Sequence, residues 1–202
     1  MKELVFATHN SHKAEEIQSI LEGIYRIIDL KQLGFTENVP EDKDTLEGNA
    51  SMKAQYIFKI FSKDCFADDT GLEVDCLNGA PGVFSARYAE MSGDRPVNES
   101  ISEANIRKLL KQMEGEKNRK ARFRTAICLI LDRKEHFFVG VVEGVITTEK
   151  MGEKGFGYDP VFLPDGSNLT FAEMSLAEKN IISHRARAVS GLVKFLQEDT
   201  IQ

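Results

Sequence analysis

Two adjacent aspartates, Asp68 and Asp69, follow the apolar run Cys65–Phe66–Ala67. Neighbouring like charges repel, and desolvation strengthens the repulsion. The pair must stand either in a solvated turn at the end of a buried strand or beside something positive. A second acidic set, Glu37, Glu41, Asp42 and Asp44, lies in one polar stretch. Hard carboxylate oxygens with no clustered His or Cys suit Mg²⁺, which takes one or two carboxylates together with substrate phosphates. The plainer reading of residues 37–44 is a solvated acidic loop. That reading is weaker for Asp68 and Asp69, which follow directly on apolar residues.

Three further stretches carry chemical groups. "THNSHK" (8–13) lies between a strand end and a helix start. Helix N-terminal N–H groups favour an anion there. Thr8 and Asn10 can donate hydrogen bonds and Lys13 adds a charge. Taken alone, the stretch reads as a helix capped by Asn10 or Ser11. The P-loop spacing is absent, and His9 and His12 have no third His or Cys ligand near them in sequence. "GFGYDP" (155–160) sets Phe156 between two glycines. The ring either stacks on a base, worth about 1–3 kcal/mol, or fills a tight turn. In "AEKNIISHRARA" (177–188), Ser183 can cap a helix, while His184 and Arg185 can donate hydrogen bonds to a base or stand exposed.

The elements that must position these groups follow from hydrophobic spacing. "ELVFAT" (3–8) and "YRIIDL" (25–30) read as strands around a helix that stops at Gly23, a β-α-β start that favours parallel pairing. Leu46, Ala50, Ala54, Ile57 and Phe61 place a long helix over about 45–61. A strand ends at Asp68 and "GLEVDCL" reads as a separate one, followed by the turn cluster "NGAPG". Residues 97–115 read as a helix. Residues 121–131 and 136–147 read as a long antiparallel hairpin joined by "DRKE", and an amphipathic helix closes the chain. The sum is an α/β fold with a mixed central sheet and flanking helices.

At 202 residues the chain can bury a full core as one domain or two close lobes. Its 42% hydrophobic and 29% charged residues are ordinary for a globular protein. A net charge of -6 argues against a basic surface for polymeric nucleic acid, but placed lysines with a metal ion can still hold a small anion. Three cysteines without a CxxC are read as buried thiols in a reducing, cytoplasmic compartment. The N-terminal apolar run is too short for a signal peptide or a membrane anchor.

Together "FATHNSHK", "ADDTGLEVDCLNGAPGVFSARYA", "GFGYDPVFLPDG" and "EKNIISHRARA" resemble the inosine triphosphate pyrophosphatase family, in family order and over nearly the whole chain. The resemblance implies hydrolysis of ITP, dITP and XTP to the monophosphate and pyrophosphate with Mg²⁺. It implies one domain over 1–202, of two lobes around an active-site cleft, and a homodimer. The phosphate-binding stretch corresponds to Thr8, His9, Asn10, Ser11, His12 and Lys13, joined by Lys53 within "NASMKA". Asp69 corresponds to the metal-binding carboxylate and general base, with Asp68 and Thr70 flanking it. Glu41 corresponds to the second metal-binding acid, with Glu37 as the alternative. Phe156, Gly157, Tyr158 and Asp159 correspond to the base-binding loop, and Lys179, His184 and Arg185 to the residues that read the purine. Lys43 stands where the family often has Gly, Gly48 where an acid is usual, and His9 where a small residue is usual.

Overall fold

The computed structural model describes residues 2–21, 25–93 and 98–199. In chain order the main elements are β1 (Lys2–Phe6), α1 (Ser11–Ile20), β2 (Tyr25–Asp29), α2 (Leu46–Phe61), β3 (Cys65–Val74), β4 (Pro81–Gly82) and α3 (Ile101–Gln112). They continue with β5 (Lys120–Leu131), β6 (Lys134–Ile146), β7 (Phe162–Pro164), α4 (Leu176–Ile182) and α5 (His184–Asp199). Among the described residues seven strands form one sheet, in the order β2-β1-β3-β5-β6-β7 with β4 on β3. β1 runs parallel to β2 and to β3, whereas β3 with β4 and β6 with β7 are antiparallel. The expected mixed α/β sheet is therefore present.

The chain divides into two compact units. Unit 1 comprises 1–69, 125–141 and 183–202, and unit 2 comprises 70–124 and 142–182. In unit 1 the strand pleat sends alternate residues to opposite faces. Leu4, Phe6, Phe66, Ile127 and Leu129 pack with Ile17 of α1 and with Val189, Leu192 and Leu196 of α5. Val5, Ala7, Cys65, Ala67, Cys128 and Ile130 pack on the other face with Ala50, Ala54 and Ile57 of α2. In unit 2, Leu72, Val74, Phe123, Phe162 and Phe171 pack with Ile106 and Leu109 of α3 and with Met113 just beyond it.

Capping follows sequence chemistry. Asn10 accepts from the Lys13 N–H at 3.2 Å, Thr45 from the Gly48 N–H at 3.0 Å and Ser100 from the Glu103 N–H at 3.2 Å. The Ser183 hydroxyl accepts from the Ala186 N–H at 3.1 Å and starts α5.

The structure departs from the expected elements in several places. No strand ends at Asp68: β3 runs unbroken through Asp68, Asp69, Thr70 and Gly71 to Val74. The carboxylates are tolerated inside the strand because each has cationic partners, and Gly71 keeps extended geometry. The β5–β6 turn is Asp132–Arg133, both in left-handed backbone (φ 49° and 64°). That conformation allows a two-residue hairpin turn, so Lys134 and Glu135 join β6. β7 was not anticipated, because three residues carry no periodic signal. Helix α3 is shorter than 97–115, and Met113 accordingly caps it. The expected helix stop at Gly23 lies outside the described residues.

Gly140 of β6 is fixed by close approach. A Cβ there would run into the His184 carbonyl oxygen and stand 2.5 Å from the Ala188 nitrogen. The backbone of α5 needs that space, and the Arg187 guanidinium donates to the neighbouring Val141 carbonyl. Gly140→Ala should cost about 1–3 kcal/mol of stability through overpacking. Urea unfolding measures it, and an unchanged midpoint would mean that α5 docks with slack.

Candidate active site

Parallel strands present their C-terminal ends side by side, a common place for a site in an α/β sheet. In unit 1, β1 ends at Phe6 and leads into 8–13, while β3, paired at Phe6↔Phe66, continues into Asp68 and Asp69. The Ala7 N–H donates to the Phe66 carbonyl at 2.8 Å, which fixes this register beyond the last strand pair.

Pleat alternation separates the two carboxylates. Asp68 shares a face with Phe66, beneath α1 and α5, and Asp69 shares a face with Ala67, beneath α2. Of the two alternatives the sequence left open, a solvated turn or a positive neighbour, the structure shows cations, and each carboxylate has its own partners. Asp68, 2% exposed, accepts from Lys13 Nζ at 2.8 Å and from Arg185 Nε at 3.4 Å. Arg185 is 1% exposed and also pairs with Glu16 of α1. Lys13, Arg185, Glu16 and Asp68 thus gather two cations and two anions. Burial works to raise the Asp68 pKa, but Lys13, Arg185 and Lys53 outweigh it and hold the carboxyl well below its usual range. Burial lowers the Lys13 pKa; Asp68 opposes this, while Lys53 and Arg185 add to it.

On the α2 face, Asp69 is 8% exposed. Its Oδ1 accepts from Lys53 Nζ at 2.7 Å and its Oδ2 from Asn49 Nδ2 at 3.1 Å. Lys53 Nζ also donates to Glu41 Oε2 at 3.2 Å. Burial disfavours the Lys53 ammonium, but Asp69, Asp68 and Glu41 more than compensate and raise its pKa. One ammonium thus stands between two carboxylates, and the Glu41 side chain is 39% exposed. Glu37 lies elsewhere: its carbonyl accepts from His9 Nε2 at 2.8 Å and its carboxylate from Tyr56 at 3.4 Å. Of the two acids, the structure brings Glu41 to Asp69. Lys43 and Gly48, both departures from the usual family pattern, stand against each other, since a Cβ on Gly48 would be 2.9 Å from Lys43 Cβ.

Thr8 is half-buried and accepts from the Asn10 N–H at 3.1 Å, while His9, Asn10, Ser11 and His12 are exposed around the start of α1. His9 stacks on Phe35 with ring centroids 6.0 Å apart. His184 and Arg185 open α5 as expected and both are buried. The Arg185 guanidinium is directed to Glu16 and Asp68.

Unit 2 holds the other group. Asp159 accepts from the Phe156 N–H at 2.9 Å and from Lys179 Nζ at 2.7 Å. Lys179 Nζ lies 4.9 Å from the centre of the Phe156 ring and 5.5 Å from that of Phe171. Gly155 and Gly157 have φ of +75° and +62°, and a Cβ on Gly155 would collide with the Asp159 carboxylate. The Tyr158 hydroxyl donates to the Ser85 carbonyl at 3.0 Å and anchors the loop, and burial pushes its pKa up. Phe156 is half-buried and Thr70 is half-buried in β3.

Sequence reasoning missed Glu16 and Asn49. Their signal was present: each is a polar residue on the buried stripe of an amphipathic helix, Glu16 beside Ile17 and Asn49 beside Ala50.

The arrangement is that of an α/β protein that sets lysines and a helix N-terminus beside carboxylates at its strand ends. The Ham1 family model matches residues 4–195, and the chain belongs to the Ham1 family. It is 52% identical over 197 residues to a dITP/XTP pyrophosphatase of Porphyromonas gingivalis, covering 97% of this chain and 98% of that protein. It is 44% identical over 201 residues to the dITP/XTP pyrophosphatase of Bacillus subtilis, covering 98% of each. The solved Ham1 protein of Staphylococcus aureus superposes with a TM-score of 0.84 at 39% identity, covering 98% of this chain and 100% of that one. The resemblance read from the sequence motifs and these similarities agree.

Replacing Asp68 with Asn leaves Lys13 and Arg185 buried with one carboxylate fewer, so Asp68→Asn should cost about 3–5 kcal/mol in urea unfolding. The pH dependence has a fixed sign. Because the folded pKa lies below the unfolded value, the Asp68 contribution is complete above about pH 4 and is lost as pH falls below it. The variant should lack that part of the acid dependence. A loss under about 1 kcal/mol would show that Asp68 is not coupled to its partners.

Proposed function

We propose that the protein hydrolyses ITP, dITP and XTP to the nucleoside monophosphate and pyrophosphate, which clears these nucleotides from the precursor pool. The observation that carries the reading is the pairing of Glu41 and Asp69 around Lys53, next to Lys13 and the start of α1. The relatives named dITP/XTP pyrophosphatase support the substrate class.

The donor set fits Mg²⁺: two hard carboxylates, one of them open to solvent, with more anionic than cationic charge. Among the described residues no three His, Cys, Asp or Glu side chains gather. Two carboxylates are what Mg²⁺ ordinarily takes from a protein when substrate phosphates complete its shell. Asp69 and Glu41 would hold the ion, which when bound supplies positive charge to the triphosphate oxygens.

Asp69 orients a water toward the α-phosphorus and accepts its proton as the water oxygen bonds to phosphorus. The bond from the α-phosphorus to the bridging oxygen breaks, and pyrophosphate leaves with the bonding pair. Lys13, Lys53 and the α1 N–H groups hold its charge. The base falls to unit 2, where Phe156 offers a face for stacking and Lys179 a donor for the purine C6 oxygen. Adenine carries an amino group at that position and leaves the donor unpaired, which can cost orders of magnitude in rate. The family resemblance supports a homodimer. Free thiols at Cys65, Cys76 and Cys128 fit a cytoplasmic setting. No helix among the described residues is long and apolar enough to cross a membrane.

Purified protein with Mg²⁺ and ITP, XTP, GTP or ATP, followed by phosphorus NMR, tests the reading. Pyrophosphate should form with the monophosphate from ITP and XTP, and much more slowly from GTP and ATP. Asp69→Asn should lower turnover by about 10²–10⁴-fold while nucleotide still binds. Inorganic phosphate with a nucleoside diphosphate, or full activity in the variant, would overturn it.

A further inference from the structure

Asn49 is 1% exposed, on the second turn of α2 and one turn before Lys53. A buried carboxamide must satisfy both its ends, and here its orientation is fixed by chemistry. A carboxylate only accepts and a backbone N–H only donates. Nδ2 must therefore face Asp69 Oδ2, at 3.1 Å, and Oδ1 must face the Lys43 N–H, at 2.8 Å. The two partners belong to different segments: Asp69 is in β3, and Lys43 stands two residues after Glu41 in the loop that precedes α2.

We propose that Asn49 is a positioning residue for the reaction, tying the Asp69 carboxylate to the loop that carries Glu41 so that both acids are held in place for a divalent cation. The inference rests on the reading of Asp69 and Glu41 as the cation-holding pair. Both Asp69 oxygens are engaged from the α2 side, Oδ1 by Lys53 and Oδ2 by Asn49, so the carboxylate plane cannot rotate. On the loop side the tether is short. The Thr45 side chain caps Gly48, and the missing side chain at Gly48 lets Lys43 lie against the helix. The Lys43 N–H is thereby brought within reach of the carboxamide. Side chains that orient metal ligands in this way typically change metal affinity or activity by about 10–100-fold when removed.

The test uses Asn49→Ala and Asn49→Ser. The serine variant keeps a polar group too short to span both partners, and it supplies the reading if the alanine variant fails to fold. Binding of Mn²⁺ alone is followed by electron paramagnetic resonance on the full chain, with Asp69→Asn as reference. Activity is measured against Mg²⁺ and against ITP. The expected result is Mn²⁺ affinity and half-activating Mg²⁺ weakened about tenfold or more. The KM for ITP at saturating Mg²⁺ should change less than about threefold, and the preference for ITP over GTP should not change. Folded variants with wild-type Mn²⁺ affinity and wild-type Mg²⁺ dependence would overturn the role of Asn49 and leave the metal reading intact. Wild-type Mn²⁺ binding that is indifferent to Asp69→Asn would overturn the metal reading and this inference together.

Discussion

The two-residue period of a β-strand governs the chemistry of this chain. Asp68 and Asp69 are neighbours in sequence, yet the pleat points them to opposite faces of β3. One face meets α1 and α5, the other meets α2, so two charge clusters can be built from one dipeptide with neither carboxylate facing the other. A one-residue slip of β3 against β1 would exchange the clusters and bring Phe66 to the wrong core, so hydrophobic packing and site geometry enforce the same register. The stacked rings of Phe6 and Phe66, with centroids 4.5 Å apart, lie where that register is set.

The clusters differ in charge balance, and the difference assigns them different work. Around Asp68 two cations meet two anions, with Asp68, Glu16 and Arg185 buried and Lys13 half-buried. Such a group costs much to desolvate and is held together by completeness, since removing any member strands another. It suits a rigid mount: through Lys13 and Glu16 it grips α1 at two points on one helix face, and through Arg185 it grips the first turn of α5. Around Asp69 two anions share one ammonium, and Glu41 reaches solvent.

Much of this was legible in the sequence, and the exceptions have physical causes. The β-α-β start and the caps at Asn10 and Ser183 follow from spacing and side-chain chemistry. "THNSHK", "DDTG" and "SHR" were singled out as chemical. Reading a strand end at Asp68 failed because a pair of charges resembles a turn signal when its partners, Lys13, Lys53 and Arg185, are distant in sequence. The burial of Arg185 was not legible for a related reason. A helix-capping stretch looks exposed from its own residues, and only the arrival of Glu16 and Asp68 buries it. Glu16 and Asn49 went unremarked because periodicity was read for its apolar members. A polar residue occupying an apolar position is the more informative event.

Unit 1 is assembled from three chain segments separated by more than forty residues each, and its last contribution is α5. Val189, Leu192 and Leu196 complete one of its two cores, and Arg185 completes the Asp68 cluster. These are long-range contacts, which form slowly because a long loop must close before any contact repays it. During synthesis the N-terminal strands and α1 leave the ribosome well before the helix that covers them. The nascent chain therefore carries an uncovered apolar sheet face and an Asp68–Lys13 pair without its guanidinium until α5 has been synthesised. Order of synthesis, as much as geometry, decides when this enzyme fold first becomes competent.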